Sequence, residues 1–414
     1  MHFLSYSTQM QVRILADDLS GAADCAAAFA QATGGELPVH LDRAPAGAAS
    51  YALDTDSRAR DPDTAARIAA QALADACAGG GAVLPFKKID STLRGHLGAE
   101  LHAALEAVPG WGGALVAPAF PEQGRTLQHG RLHLDGRPHP AGAAADAVQM
   151  LAAWGLRPAC LDAPGGDAAA LAQAIASSLR AGARCVVVDG RTPADLAAVA
   201  AVLQRPLPQP LLAVGSAGLA RAIAQRLPAE AAAPRPADGA GRGPAIAVVG
   251  SFSPVSQAQV RRLAALRAVQ VVRCEAAAWL DGAAARRPSL AAAQTALAAG
   301  RPLVFSIAGA PAGQASRDLV RTIAAAIAPL LRQAGALVLT GGDTARAVLD
   351  SLGLRRLEVA EEREPGVSCG RSDALPGTRI FIKAGAFGDE DTLLRLFDSV
   401  GRLPQPQGAP ALTA

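Results

Sequence analysis

The sequence predicts an α/β protein of two domains, each a mostly parallel sheet flanked by helices, with the functional site in the interdomain cleft. Three observations predict it. Short, continuously apolar runs recur along the chain, each followed by a small polar or glycine-rich turn and an Ala/Leu-rich helical segment. Such runs are the mark of strands buried on both faces of a sheet. At 414 residues the chain also exceeds the size at which a single core keeps growing. Half of its residues are hydrophobic but only 3% are aromatic, so Ala, Val and Leu must fill the cores, which suits helices laid on parallel strands.

Taken in order, QVRILA (11–16) leads through DDLSG into a helix from about Ala22. AVLPFKKI (82–89) leads through DSTLRG into a helix running through Leu105. ARCVVVDG (183–190) precedes PADLAAVAAVL, and LLAVGSAG (211–218) precedes LARAIAQRL. After a break, AIAVVGSFS (245–253) leads into PVSQAQVRRLAAL, ALVLTGGD (336–343) into TARAVLDSL, and RIFIKAGAFG (379–388) into DEDTLLRLF. Pro254 behind Ser253 has the form of a first helical residue behind its N-cap, which fixes that helix start. The break itself, PAEAAAPRPADGAGRGP (228–244), lacks hydrophobic periodicity and reads as a surface linker. Domains over residues 1–235 and 236–414 follow, and the final LPQPQGAPALTA is expected to be unstructured.

Composition excludes several function classes. The net charge is +3 and no basic run is interleaved with aromatics, so nucleic acid is not an expected partner. The N-terminal MHFLSYSTQMQVRIL has no charged segment ahead of an apolar core, and no stretch approaches the ~18 apolar residues of a membrane span. Cysteines 25, 77, 160, 185, 274 and 369 form no C-x-x-C pair and read as buried hydrophobes or free thiols of a reducing compartment. A soluble, cytoplasmic protein without membrane association is expected.

Several motif matches fail on context. GVSCG (366–370) has the pattern of a nucleophile elbow but no apolar strand before it and no helix behind it. The glycines of GAGRG lie in the linker, and no G-x-x-x-x-G-K-[ST] occurs. His129, His133 and His139 share a Gly/Arg/Pro-rich loop without carboxylates at metal-ligand spacing, so they are expected at the surface or facing substrate.

In open α/β sheets, ligands collect beyond the carboxyl ends of the strands. In the first half these ends carry Asp17 and Asp18, the run Asp54-Thr55-Asp56-Ser57-Arg58, Lys87-Lys88 with Asp90, Ser91, Thr92 and Arg94, and Arg125. This mixture suits a small hydroxylated anion: cations for its carboxylate, acceptors for its hydroxyls, one carboxylate for a proton. Any one cluster serves equally well as a helix N-cap, whereas four together point to a ligand. In the second half the ends read Gly250–Ser253, Thr340–Thr344 and Lys383–Gly388. Glycines let backbone N–H groups approach closely and helix N-termini add partial positive charge, which makes a phosphate cradle without a Walker lysine. Glycine-requiring βα turns are the plainer reading of each loop alone. Arginines outnumber lysines 36 to 3, and all three lysines lie at these strand ends. A polyol-acid pocket facing a phosphate cradle across a cleft is the layout of a kinase.

At this point the residues resemble a known family, the four-carbon acid sugar kinases, long treated as a domain of unknown function. The resemblance is carried by ADDLSGAAD (16–24), TDSR (55–58), KKIDSTLRG (87–95), PAFPEQGRT (118–126), VGSAGLA (214–220), VVGSFSPVSQAQ (248–259), LTGGDTARAVL (339–349), EPGVSCGR (364–371) and KAGAFGDEDTL (383–393), in order over nearly the whole chain. It implies a sugar-acid-binding first domain and a nucleotide-binding second domain. It also implies ATP, with Mg²⁺ carried mainly by the ATP phosphates, and phosphorylation of the terminal hydroxyl of D-threonate, D-erythronate or a 3-oxo-tetronate. The KKIDSTLRG form is similar to that of the D-threonate and D-erythronate kinases. Ser20 stands where threonine is commoner but keeps the hydroxyl, and Phe252 makes its turn bulkier than usual.

By the same resemblance, nucleotide contacts fall on Ser251 or Ser253, on Gly341, Gly342, Asp343 and Thr344, and on Gly385, with Lys383 and Gly388 in the same loop. Arg94 and Arg125 are expected to hold the substrate carboxylate, with Asp17, Asp56, Ser57, Arg58 and Ser91 completing the lining. Asp18 or Asp90 is expected to orient the terminal hydroxyl and accept its proton. Alternation along a strand puts Lys88 on the side of Asp90 as the ligand-facing, catalytic lysine, and turns Lys87 toward neighbouring backbone or carboxylates. Two other classes stay in view: a non-catalytic sugar-acid sensor, and an NAD-dependent dehydrogenase, which would need a G-x-G-x-x-G at a first βα turn with an acidic residue ~20 positions on. Ala-rich helices serve core and interface alike, so a homodimer is compatible with the sequence.

Overall fold

A computed structural model of the chain describes residues 10–78, 82–163, 165–205, 209–228, 243–308 and 314–400. The linker expected at 228–244 lies, but for its ends, outside the described residues, as do the tail and the first nine residues. The chain forms two compact units, Met1–Ala233 and Pro234–Ala414. No helix of the described residues is long and apolar enough to cross a membrane.

The first unit opens with β1 (Gln11–Ala16), α1 (Leu19–Ala30), β2 (Leu37–Leu41), β3 (Tyr51–Asp54), α2 (Pro62–Cys77), β4 (Val83–Lys88), α3 (Leu97–Ala107) and β5 (Gly113–Ala117). After a small three-stranded sheet, β6 (Arg125–Gln128), β7 (Arg131–Leu134) and β8 (Arg137–Pro138), come α4 (Ala147–Ala152), β9 (Pro158–Leu161), α5 (Ala168–Arg180), β10 (Cys185–Val188), α6 (Pro193–Leu203), β11 (Leu211–Gly215) and α7 (Ala217–Ala224). The main sheet runs β2-β3-β1-β4-β11-β5-β10-β9, and its pairings are parallel. Its central strands are buried along their length, as continuous apolar runs require. From β1 the chain crosses to β2 on one side, and from β3 it crosses back to β4 on the other. Right-handed crossovers in opposite directions put α1 and α2 on opposite faces, so β1 is a topological switch point.

Two expectations need correction here. The first helix begins at Leu19, not Ala22, because Asp18 already supplies the carbonyl for its first turn, with Ala22 N–H at 3.0 Å. The histidine-bearing segment is a three-stranded meander, not a loop. Its turns are His129-Gly130 (φ 51° and 75°) and Asp135-Gly136 (φ 48° and 78°), two-residue turns whose twist matches the flanking strands.

The second unit consists of β12 (Ala245–Val249), α8 (Pro254–Leu266), β13 (Gln270–Glu275), α9 (Ala276–Leu280), α10 (Ala283–Ala298), β14 (Leu303–Ala308), α11 (Gln314–Leu331), β15 (Ala336–Thr340), α12 (Gly342–Leu352), β16 (Arg356–Glu364), β17 (Val367–Arg371), β18 (Arg379–Lys383) and α13 (Thr392–Val400). Strand order is β13-β14-β12-β15-β18-β17-β16. Pairings from β13 to β18 are parallel, and those of β17 with β18 and β16 are antiparallel. Residues 367–370 of GVSCG lie on a hairpin strand, with Gly366 in the turn that follows the charged β16. Val249, Ala247, Val338, Phe381 and Phe397 are among the residues of its core. As in the first unit, the chain leaves the central β12 to one side and returns to its other side at β15. Ser253 starts α8 but its side chain makes no capping bond; its N–H instead donates to Ser251 Oγ at 3.3 Å.

Candidate active site

Register brings the first unit's polar residues together. Ala16 is level with Asp54 on β3 and with Lys88 on β4, so the segments that follow these strands meet. Arg58 sits at the centre. Its Nε donates to Asp17 Oδ2 at 2.7 Å, and its Nη2 to Asp17 Oδ1 at 2.7 Å and Asp18 Oδ1 at 2.9 Å. Nη1 lies 2.7 Å from Asp18 Oδ2, and Nη2 lies 3.8 Å from Asp90 Oδ1. Arg94 forks onto Asp90 through Nε at 2.9 Å and Nη2 at 2.8 Å, and Thr92 donates to the same carboxylate through N–H and hydroxyl. Leu93, in the turn between them, holds φ 62°, a left-handed conformation that costs leucine on the order of 1 kcal/mol.

Electrostatics follow from this packing. Burial would raise the carboxyls of Asp18 and Asp90, yet both are held below the ordinary range. For Asp90 the Arg94 hydrogen bonds and the charges of Arg58 and Arg94 outweigh burial, and the carboxyl sits well below that range. For Asp18 the charges of Arg58 and Lys88 do so, helped by the Ser20 hydroxyl at 2.7 Å. Burial pulls the Arg125 guanidinium down, opposed by the charge of Asp90, and its Nη1 donates to Gln123 O at 2.7 Å.

The two adjacent lysines part company. Lys87 Nζ lies 2.7 Å from Glu100 Oε2 on α3, inside the protein. Lys88 turns to the other face, toward α1, where Gly21 makes room for it. A methyl group on Gly21 would stand 2.7 Å from Lys88 Nζ and 2.8 Å from Asp18 Oδ1. Lys88 is thus packed beside Asp18, whose carboxylate its charge stabilises.

Not every expected residue joins this cluster. Ser57 faces inward: its hydroxyl donates to Glu100 Oε1 at 2.5 Å and pairs with Thr55 Oγ1 at 3.0 Å. Asp56 gives its carboxylate to Arg60 Nη2 at 2.9 Å. Arg94 does join it, at its rim: its side chain is 68% exposed and holds Asp90 through Nε and Nη2. Ser91 is buried.

In the second unit Val249, Thr340 and Lys383 are level across β12, β15 and β18, so three loops converge. Methyl groups on Gly250 and Gly385 would collide with Thr344 Oγ1 and Ser251 Oγ, respectively. Gly341, at φ 97°, opens α12 and donates its N–H to Lys383 O at 2.8 Å. Asp343 is exposed and pairs with Arg317 Nη2 at 3.3 Å, Thr344 is buried behind Gly250, and Gly388 (φ 85°) packs on Thr392. Glycine-lined loops ahead of a helix N-terminus fit a phosphate-bearing ligand.

Lys383 needs a correction. It does not stand at the ligand side of this cradle but is 0% exposed. Its Nζ donates to Phe387 O at 2.9 Å and Ala384 O at 3.0 Å, with Gly385 O at 3.5 Å. The cause is strand alternation: Lys383 follows the core residue Phe381 on the same side of β18. Burial pulls the ammonium down to about 8, opposed by the charge of Glu364. Ser256 and Gln259 of α8 complete the hold on this loop, donating to Gly385 O at 2.6 Å and to Asp389 O at 2.7 Å.

Gly21, Glu100, Ser256 and Gln259 were not singled out from sequence. Glu100 carried a signal, since it stands three residues after Leu97 and four before Ala104 on the helix's buried stripe. Ser256 and Gln259 likewise share one helix face at i, i+3. Among the described residues, no group of three or more His, Cys, Asp and Glu side chains is placed to hold a metal.

A sugar-binding N-terminal domain is matched by residues 12–223 and a nucleotide-binding C-terminal domain by residues 246–393. The chain is 40% identical over 409 residues to a D-threonate kinase of Cupriavidus necator, covering 92% of this chain and 95% of that one. It is 30% identical over 423 residues to a 3-oxo-tetronate kinase of Methylobacterium radiotolerans, covering 93% and 98%. A crystal structure of a Salmonella typhimurium protein shares the fold at a TM-score of 0.73 and 22% identity, covering 94% of this chain and 98% of that one. With both domains matched in order and 40% identity sustained through them, the chain belongs to the four-carbon acid sugar kinase family.

Proposed function

We propose that the protein is a cytoplasmic, ATP-dependent kinase that phosphorylates the 4-hydroxyl of D-threonate. The observation that carries the substrate is the 40% identity to a D-threonate kinase through both domains, against 30% for a 3-oxo-tetronate kinase. Arg94 and Arg125 take the substrate carboxylate at the rim of the Asp18–Arg58–Asp90 cluster. Asp18 is the better base. Asp90 Oδ2 already accepts Thr92 N–H, Thr92 hydroxyl, Arg94 N–H and Arg94 Nε, which fills its acceptor capacity. Asp18 counts among its donors the rotatable Ser20 hydroxyl, which a substrate hydroxyl can replace. Lys88, beside Asp18, meets the transferring phosphoryl group, where a positioned cation is worth several kcal/mol.

The nucleotide phosphates lie on the loops at Gly250–Ser253, Gly341–Thr344 and Gly385–Gly388, with Lys383 shaping the last of these from behind. The Asp17, Asp18 and Asp90 carboxylates are committed to guanidinium groups, so Mg²⁺ fits as a cation carried by the phosphates, supplying charge neutralisation there.

The test is a coupled ADP-release assay over D-threonate, D-erythronate, L-threonate and the 3-oxo-tetronates, with the phosphorylated position read by NMR. The highest kcat/KM is expected for D-threonate, with the phosphate on C4. A 3-oxo acid as best substrate would reassign the enzyme within the family. ADP release with none of them would leave a sugar-acid sensor, and a nicotinamide absorbance change with D-threonate a dehydrogenase.

A further inference from the structure

Behind the charged cluster lies a second one, buried inside the protein. Lys87 is 4% exposed, Glu100 2% and Ser57 1%. Glu100 receives Lys87 Nζ at 2.7 Å on one oxygen and the Ser57 hydroxyl at 2.5 Å on the other. Ser57 Oγ pairs with Thr55 Oγ1, which donates to the Ala16 carbonyl at the end of β1. Desolvating an ion pair costs as much as its attraction returns, so well-packed apolar residues would serve stability at least as well here. The pair has another consequence. Glu100 takes Lys87 on one oxygen and the Ser57 hydroxyl on the other, so the buried pair holds Ser57 in place. The next residue is Arg58, whose N–H donates to Asp17 O at 3.2 Å and whose guanidinium binds Asp17 and Asp18.

We propose that Lys87 and Glu100 are positioning residues of the sugar-acid site: their buried pair fixes Ser57, and through it the Arg58 that sets Asp18. The doublet is then one device with two faces, Lys88 serving the site and Lys87 anchoring the turn that orients it. This deepens the kinase reading and rests on it for the kinetic arm of the test.

Removing one partner leaves a buried unpaired charge, so the informative variant is the neutral double substitution Lys87→Met with Glu100→Gln, beside Ser57→Ala and the conservative Lys87→Arg. In the double variant the KM for D-threonate is expected to rise about tenfold or more while the KM for ATP stays within about twofold. Ser57→Ala, which keeps both charges paired, should show the same split at about threefold, and Lys87→Arg should stay near wild type. A crystal structure of the double variant should show Arg58 withdrawn from Asp18. A folded double variant with unchanged D-threonate KM, or with both KM values raised in step, overturns the proposal. If the double variant does not fold, an unchanged D-threonate KM in Ser57→Ala overturns it. If wild type phosphorylates no tetronate, the substrate reading fails alone, and the position of Arg58 in the Ser57→Ala crystal structure decides this one: in place on Asp18 overturns it, displaced supports it.

Discussion

The two units build their candidate sites from opposite materials. The first uses side-chain charge: Arg58, Arg94 and Lys88 are set against Asp17, Asp18 and Asp90, with a second ion pair behind them. The second uses backbone: glycines at the ends of β12 and β18 drawn so close that a single methyl group collides, a glycine at φ 97° at the end of β15, and one lysine that bonds loop carbonyls. Proton transfer and phosphoryl transfer need groups of fixed charge at fixed places, which side chains supply. A polyphosphate needs many N–H groups and close approach, which only backbone without Cβ atoms supplies. In both, the lysines show the division of labour. Lys88 lies beside Asp18 in the charged cluster, whereas Lys87 pairs with Glu100 and Lys383 bonds loop carbonyls inside the protein.

The largest break in the comparison should come from the charged side. Asp18→Asn leaves an amide that takes no proton and weakens the hold on Arg58, so turnover should fall by two or more decades, on the order expected for loss of a general base. ATP binding, measured by calorimetry, should change little, because the nucleotide loops belong to the other unit. Asp90→Asn should cost less, since it loses the Arg94 fork but not the base. A larger loss in Asp90→Asn would exchange the two roles.

Glycine substitutions sharpen the same contrast at smaller effect. Gly21→Ala places a methyl 2.7 Å from Lys88 Nζ and 2.8 Å from Asp18 Oδ1, and Gly385→Ala drives one into Ser251 Oγ. The first should lower kcat and leave the KM for ATP in place. The second should raise the KM for ATP about tenfold and leave the D-threonate KM in place. Steady-state kinetics with each substrate varied in turn distinguishes them, and identical signatures from both variants would dissolve the contrast.

How much of this was legible depended on which physical signal each residue carried. The βα units were legible because strands buried on both faces are continuous apolar runs, and the clusters were legible because they end those runs. The meander at 125–138 was not. Its strands are short and polar, although His-Gly and Asp-Gly between alternating residues were the available sign of two tight turns. The strand before GVSCG was missed because RLEVAEERE ends in four consecutive charged residues and so reads as loop. Among site residues, Ser57 and Asp56 share a motif with Arg58, but sequence adjacency does not say which side chain turns inward. Lys383 was misread for the same reason: a lysine in a glycine loop suggests phosphate, and only the register of β18 shows it pointing into the core beside Phe381.

The smallest effect is the most specific, because it depends on one titration. Burial brings Lys383 down to about 8, with Glu364 as the opposing charge. As pH rises through that value the ammonium loses its charge and its bonds to the Ala384 and Phe387 carbonyls weaken, so the loop at Gly385 loosens. The KM for ATP should therefore climb a few-fold between about pH 7.5 and 9.5, as expected for charge-assisted bonds becoming neutral ones. The D-threonate KM should stay flat, since Asp18 and Asp90 are ionised far below this window. Lys383→Met should start with a raised KM for ATP and show no climb. Stability runs the other way. The unfolded lysine keeps its proton to about 10.5, so between about 8 and 10.5 the unfolded state binds more protons, and this group adds stability as pH rises. Weaker nucleotide binding in a protein that does not melt earlier separates a loosened loop from a failing fold. A flat KM for ATP across the window would show that the Lys383 charge does not hold the loop.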